Sequence, residues 1–98
     1  MEIKFEHQGN LTVYLVGRLD TVTSSELYEA MQNEKIEENL VVIDFKELQY
    51  ISSAGLRILL AIKKNLDDEG KELEITNLNK VVEEIFKVTG FINVLTVK

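Results

Sequence analysis

The sequence contains no cysteine and no proline, and its single histidine is His7. The lack of cysteine excludes disulfides and thiolate metal sites, and it fits a cytosolic protein. The lack of proline leaves capping residues and glycines as the signals that set helix limits. No apolar run approaches the ~20 residues that span a bilayer, and Met1–Lys4 lacks the basic start and apolar stretch of a secretory signal. We therefore expect a cytoplasmic protein that does not enter the membrane.

Positive charge is also scarce. The 98 residues include 17 acidic and 11 basic side chains, for a net charge of −6. Nucleic acids and anionic membranes bind basic surfaces, so this balance argues against both as partners. It favours solubility or a protein partner with a basic surface.

Motifs for metals and nucleotides are missing as well. One histidine, no cysteine and no D-x-D-x-D-G loop leave only scattered carboxylates. The chain has neither a G-x-x-x-x-G-K-S/T loop nor a G-x-G-x-x-G loop, which argues against a nucleotide site. We predict no metal and no cofactor.

Apolar periodicity predicts a single α/β domain over residues 1–98. Ile3 and Phe5 lie in an alternating strand, and Gln8–Asn10 is a turn into a second strand, so the two should form a hairpin. Leu40–Ile43 is continuously apolar, which is typical of a strand covered on both faces. The complete order is β-β-α-β-α-β-α-β, which indicates a mixed β-sheet with helices packed on it.

Local signals predict the ends of the three helices. Thr23–Glu26 matches a capping box, so the first helix should begin there, after Gly17–Asp20 has left the second strand. Gly70 should end the second helix, and Asn79 and Gly90 should bound the third. The second helix should bury an apolar face formed by Leu56, Leu59, Leu60, Ile62 and Leu66. Val94–Val97 is predicted as a last strand at the sheet edge.

The most informative segment is Tyr50–Arg57, because it places two adjacent serines where the second helix should begin. A hydroxyl there can cap the helix, and the positive helix end would accommodate a phosphate. A cap explains one serine but leaves Gly55 unexplained, since glycine in a first turn costs up to about 1 kcal/mol against alanine. Ala54 and Gly55 would leave a bare helix start for a docking partner or a kinase. Capping and docking or modification both remain open at this point.

An enzyme that uses Ser52 or Ser53 as a nucleophile is the remote alternative. Such a serine needs a base within hydrogen-bond reach, and His7 lies beside a turn at the end of the first strand. The G-x-S-x-G elbow is also absent. We therefore expect a protein that is not an enzyme and has no catalytic residue.

Three blocks of the sequence resemble a STAS domain of the anti-sigma factor antagonist family. Gly17–Asp20 is similar to the G-x-L-D of that family, and Val42–Leu56 is similar to its block of strand, loop and helix start. Val88–Phe91 resembles its T/S-G-hydrophobic signature before the last strand. The resemblance covers essentially the whole chain.

This resemblance implies a regulatory switch. In the family, an anti-sigma factor that is also a serine kinase phosphorylates a serine at the start of the second helix. The unmodified antagonist binds that kinase and frees the sigma factor, and a metal-dependent serine phosphatase restores binding after phosphorylation. Alignment on Gly55 and Leu56 places the acceptor at Ser53. Many members have aspartate where this chain has Ser52, so Ser52 is the second choice.

The resemblance also implies a partner surface. It consists of Asp20, Thr21, Ser52, Ser53, Ala54, Gly55 and Arg57. A rival interpretation within the same fold is a STAS module of another complex, such as a stress-signalling scaffold or a lipid-transport assembly, without a sigma factor. We expect a monomer, because no long apolar seam calls for an obligate dimer.

Overall fold

Five β-strands form one sheet in the order of the sequence, β1-β2-β3-β4-β5. The computed structural model describes residues 1–98. β1 and β2 are antiparallel, and each later neighbour is parallel, so the predicted mixed sheet and the element order are confirmed. The elements are β1 (Glu2–Gln8), β2 (Asn10–Leu19), α1 (Thr21–Asn33), β3 (Leu40–Ile51), α2 (Ser53–Asp68), β4 (Glu72–Thr76), α3 (Lys80–Thr89), a 3₁₀ turn (Phe91–Asn93) and β5 (Thr96–Val97). None of the helices is both long enough and apolar enough to cross a membrane.

The predicted hairpin is confirmed, but β2 is longer than expected. Gly9 adopts a φ of 80° between the paired residues Gln8 and Asn10, a conformation that favours glycine. The prediction that the chain leaves β2 at Gly17 was wrong, because the strand continues to Leu19. Pairing with the far end of β3 extends it, across register shifts that bracket Val16 and Gly17.

The prediction that β3 is covered on both faces was also wrong. Val41 and Ile43 are fully buried, whereas Leu40 and Val42, which alternate with them, are only half-buried. The connections from β2 to β3 and from β3 to β4 each move one strand further in the same direction across the sheet. Right-handed crossovers of this kind place α1 and α2 on one face. The opposite face of the sheet therefore stays open to solvent.

Most predicted helix ends are confirmed. The Gly70 and Lys71 amides donate to the Asp67 and Leu66 carbonyls at 3.0 and 2.8 Å, which is the Schellman arrangement at the end of α2. Asn79 caps α3, and Gly90 ends it in the left-handed conformation. Four of the five residues predicted for the apolar face of α2 are buried, but Leu60 is 36% exposed.

One hydrophobic core joins the sheet to the helices. Phe45 and Phe86 are fully buried and meet edge to face, with their ring centroids 6.2 Å apart. The last strand is at the sheet edge as predicted, but it contains only Thr96–Val97, because the 3₁₀ turn and the residues after it occupy the preceding positions.

Candidate functional site

The start of α2 is tied to the end of β2. Leu19 and Ile51 are paired in the parallel sheet, and the Ser52 amide donates to the Leu19 carbonyl at 2.9 Å. Ser52 is the N-cap, and its hydroxyl accepts from the Gly55 amide at 3.3 Å. This hydroxyl satisfies one of the helix-end donors that have no partner within the helix. Of the two serines, Ser52 is therefore the one that caps the second helix.

Ser53 is the first residue of α2, and it is exposed to solvent. It lies beside the unpaired amides and the positive end of the helix dipole, where an anion is favoured. Because Ser52 performs the capping, the Ser53 hydroxyl is not needed to start the helix. The two serines therefore have different environments although they are adjacent.

The interpretation of Gly55 as a space for an approaching partner was wrong. Gly55 is buried, and a Cβ added there would lie 2.7 Å from Ile51 Cγ1 and 3.0 Å from the Leu19 carbonyl oxygen. Such contacts are too short for an alanine unless the strands move away. Gly55 therefore lets α2 approach the ends of β2 and β3, and it does not present a surface to a partner.

Asp20 begins α1, and this position differs from the predicted one. Its carboxylate accepts from the Val22 and Thr23 amides, both at 3.0 Å, and the Thr23 hydroxyl accepts from the Asp20 amide at 2.8 Å. The capping box is thus Asp20 with Thr23, and the prediction that Thr23 itself caps the helix was wrong. The hydrogen bond from the Thr23 amide, more than any other contact, holds the pKa of Asp20 below its usual range.

The carboxyl ends of β2 and β3 bring most of the predicted site together. Asp20 directly follows β2 and Ser52 directly follows β3, and neighbouring strands lie about 4.8 Å apart. Among the predicted residues, Thr21, Ser53 and Arg57 are exposed, whereas Asp20, Ser52 and Ala54 are half-buried. Gly55 alone faces the interior.

Two features near this edge were missed by the sequence analysis. Val22, in the first turn of α1, is 71% exposed, and Arg18 lies over the Tyr50 ring with its guanidinium carbon 4.6 Å from the centroid. The exposure of Val22 could have been predicted, because this residue lies outside the apolar stripe that Leu27 and Met31 form on α1. The pair of Arg18 and Tyr50 depends on the register between β2 and β3, which the sequence pattern does not reveal.

The single histidine lies far from the two serines. His7 lies beside Leu11 at the opposite end of β2, roughly 25 Å from Leu19 at the rise of an extended strand. Its ring nitrogens are each 2.6 Å from a carboxylate oxygen, of Glu34 and of Glu38. No three histidine, aspartate or glutamate side chains are arranged to hold a metal ion.

The fold and this edge define a small α/β domain with a mixed sheet and an exposed serine at a helix start. Residues 3–98 match the family model of the STAS domain, so the chain belongs to the STAS domain family. It is 26% identical over 99 residues to the anti-sigma-B factor antagonist of Listeria monocytogenes, across 100% of this chain and 87% of the relative.

Solved structures of lower identity share the fold. The anti-sigma factor antagonist SpoIIAA in its unphosphorylated form superposes with a TM-score of 0.81 at 15% identity, over 99% of this chain and 88% of that one. The Bacillus cell fate determinant SpoIIAA in the phosphorylated form gives a TM-score of 0.69 at 14% identity, over 99% and 91%.

Proposed function

We propose that this domain is an anti-sigma factor antagonist whose binding is switched by phosphorylation of Ser53. Its partner is an anti-sigma factor with serine kinase activity, and a serine phosphatase reverses the modification. The unphosphorylated domain binds the anti-sigma factor as a monomer in the cytoplasm and releases the sigma factor. The domain itself is a binding protein and not an enzyme. The family membership, the Listeria relative and the fold shared with SpoIIAA support this role.

The exposure of Ser53 beside a separate capping serine carries the proposal. A kinase must reach a hydroxyl, and Ser53 is exposed whereas Ser52 is half-buried and holds the Gly55 amide. Phosphorylation of Ser52 would cost the helix its cap, which is worth about 1 kcal/mol. Phosphorylation of Ser53 leaves that cap in place, so Ser53 is the preferred acceptor.

A phosphate on Ser53 should act on the partner rather than on the fold. It adds about −1.5 to −2 charges and three strong acceptor oxygens. The helix start tolerates this charge, because the amides and the dipole favour an anion there. The anti-sigma factor would instead meet a bulky dianion close to Asp20, at a surface that otherwise offers Thr21, Val22 and Arg57.

Intact-mass analysis tests the acceptor. The protein is incubated with ATP and the purified anti-sigma factor kinase from the same organism, and we expect one added phosphoryl group. The gain should vanish in Ser53→Ala and persist in the matched control Ser52→Ala. A gain that persists in Ser53→Ala but is lost in Ser52→Ala would transfer the role to Ser52. The absence of any gain in the wild-type protein would contradict the phosphorylation switch.

A further inference from the structure

The open face of the sheet is ordered into rows by the pairing of the strands. The rows are Glu2–Val16–Glu47, Lys4–Tyr14–Asp44–Thr76 and Glu6–Thr12–Val42–Glu74. We call these eleven residues the outer sheet face. Every one of them is half-buried or exposed.

The outer sheet face has an apolar centre between carboxylates. Val16 is 39% exposed and lies between Glu2 and Glu47, and Thr12 and Val42 lie between Glu6 and Glu74. Tyr14 is next to both rows. Its aromatic ring and the valine methyl groups form an apolar surface that stays in contact with water unless another molecule covers it.

Negative charge is concentrated on this face. Five carboxylates and one lysine lie among its eleven residues, so it carries most of the net charge of −6. Partial burial raises the pKa of Tyr14, and the nearby carboxylates of Glu6 and Asp44 raise it further. The Tyr14 hydroxyl therefore lies in the same negative potential that a partner bound to this face would meet.

The arrangement of these charges selects the kind of partner. The carboxylates are spread over three strands, β1, β3 and β4, and no three of them are arranged to hold a metal ion. Nucleic acids and anionic lipids would be repelled by the same charges. A protein surface with basic side chains around apolar ones matches both the carboxylates and the centre.

We propose that the outer sheet face is a second docking surface, for a basic amphipathic protein segment. The aliphatic stems of its lysine or arginine residues would cover Val16, Val42 and Tyr14, and their charged ends would reach the carboxylates. This face is opposite to the one on which α2 packs, so the inference does not rest on the proposed role of Ser53. Binding here should be indifferent to a charge at that residue.

A synthetic helical peptide of lysine and leucine tests the proposal, with a glutamate and leucine peptide as the control ligand. Binding to the whole protein is measured by calorimetry at low salt. We expect the double variant Glu6→Lys/Glu74→Lys to weaken binding of the basic peptide by about tenfold or more. The matched control Asp68→Lys/Glu84→Lys changes the net charge equally at exposed helix positions, and it should weaken binding by less than about threefold. Ser53→Asp should leave the affinity unchanged.

Amide chemical shifts of the wild-type protein give an answer that does not depend on whether a variant folds. The basic peptide should perturb Thr12, Tyr14, Val42 and Glu74 most strongly. Equal loss of affinity in the two double variants, perturbations centred on α2, or no binding at millimolar peptide would each overturn the proposal.

Discussion

At the scale of single residues, the packing around Gly55 predicts a result that runs against helix propensity. Alanine is favoured over glycine in a helix by about 1 kcal/mol. The Cβ of Gly55→Ala would meet a backbone carbonyl at 3.0 Å as well as the Ile51 side chain, and overpacking typically costs about 1–3 kcal/mol. We expect a net loss of about 1 kcal/mol in the free energy of unfolding, measured with urea. The exposed neighbour variant Ser53→Ala should change it by less than about 0.5 kcal/mol, and a Gly55→Ala variant more stable than wild type would refute this account.

For a buried hydroxyl in α1, we expect substitution by alanine to increase stability. Ser24 is 1% exposed, and its Oγ has no hydrogen-bond partner. Ser24→Ala removes an unsatisfied polar atom and improves helix propensity, so unfolding should require about 1 kcal/mol more. Ser25→Ala on the exposed side of the same turn serves as the control, because it gains only the propensity. A loss of stability in Ser24→Ala would mean that the hydroxyl has a partner in solution.

At the scale of elements, His7 links β1 to the end of α1 and to the loop before β3. Its ring lies 2.6 Å from Glu34 and 2.6 Å from Glu38, and the hydrogen bond to Glu34, followed by that to Glu38, raises the pKa of His7 above its usual 6.5. The bond to His7 likewise lowers the pKa of Glu38. Because the folded pKa of His7 is raised, its contribution to stability is complete below pH 6.5 and is lost as the pH rises through the folded value.

The measurement compares urea unfolding of the wild type and of His7→Gln at about pH 6 and about pH 9. These two values lie below and above the ordinary histidine pKa of about 6.5. The variant should be less stable than the wild type at the lower pH, and the difference should shrink at the higher pH. Glu34→Gln/Glu38→Gln should reduce the same pH dependence. A difference between wild type and His7→Gln that is constant with pH would show that the ion pairs contribute nothing.

Local signals predicted the elements well, and contacts between elements account for the errors. Helix ends are marked by local signals, because a capping residue bonds to residues within a few positions of itself. This holds for Ser52, Gly70, Asn79 and Gly90. The start of α1 was misplaced because both Asp20 with Thr23 and Thr23 with Glu26 fit a capping box. Pairing of β2 with the end of β3 decides between them, and that pairing is not visible in a local pattern.

The candidate site was likewise predictable only where local signals define it. Two serines at a helix start could be located from the chain alone, because the strand before them and the helix after them are both distinct. The reason for Gly55 could not be predicted, since its close neighbour Leu19 lies 36 positions earlier in the chain, at the end of β2. The exposure of Leu60 likewise depends on how much of the apolar face of α2 is covered by packing.

At the scale of the whole molecule, the fold separates two surfaces. The carboxyl ends of β2 and β3 present Ser53 beside Asp20, whereas most of the net negative charge lies on the outer sheet face. A phosphate at Ser53 would be stabilised by the helix start, so the core and the remainder of the sheet would have no reason to rearrange. The switch would therefore operate through the contact surface of an unchanged domain.

The most direct test is a titration of the cognate anti-sigma factor with the domain carrying either serine or phosphoserine at position 53. Both forms should give the same circular dichroism spectrum, which controls for folding. The account predicts that the serine form binds and that phosphoserine weakens binding by about tenfold or more, a change of at least ~1.4 kcal/mol. Equal affinities for the two forms would contradict a switch at Ser53.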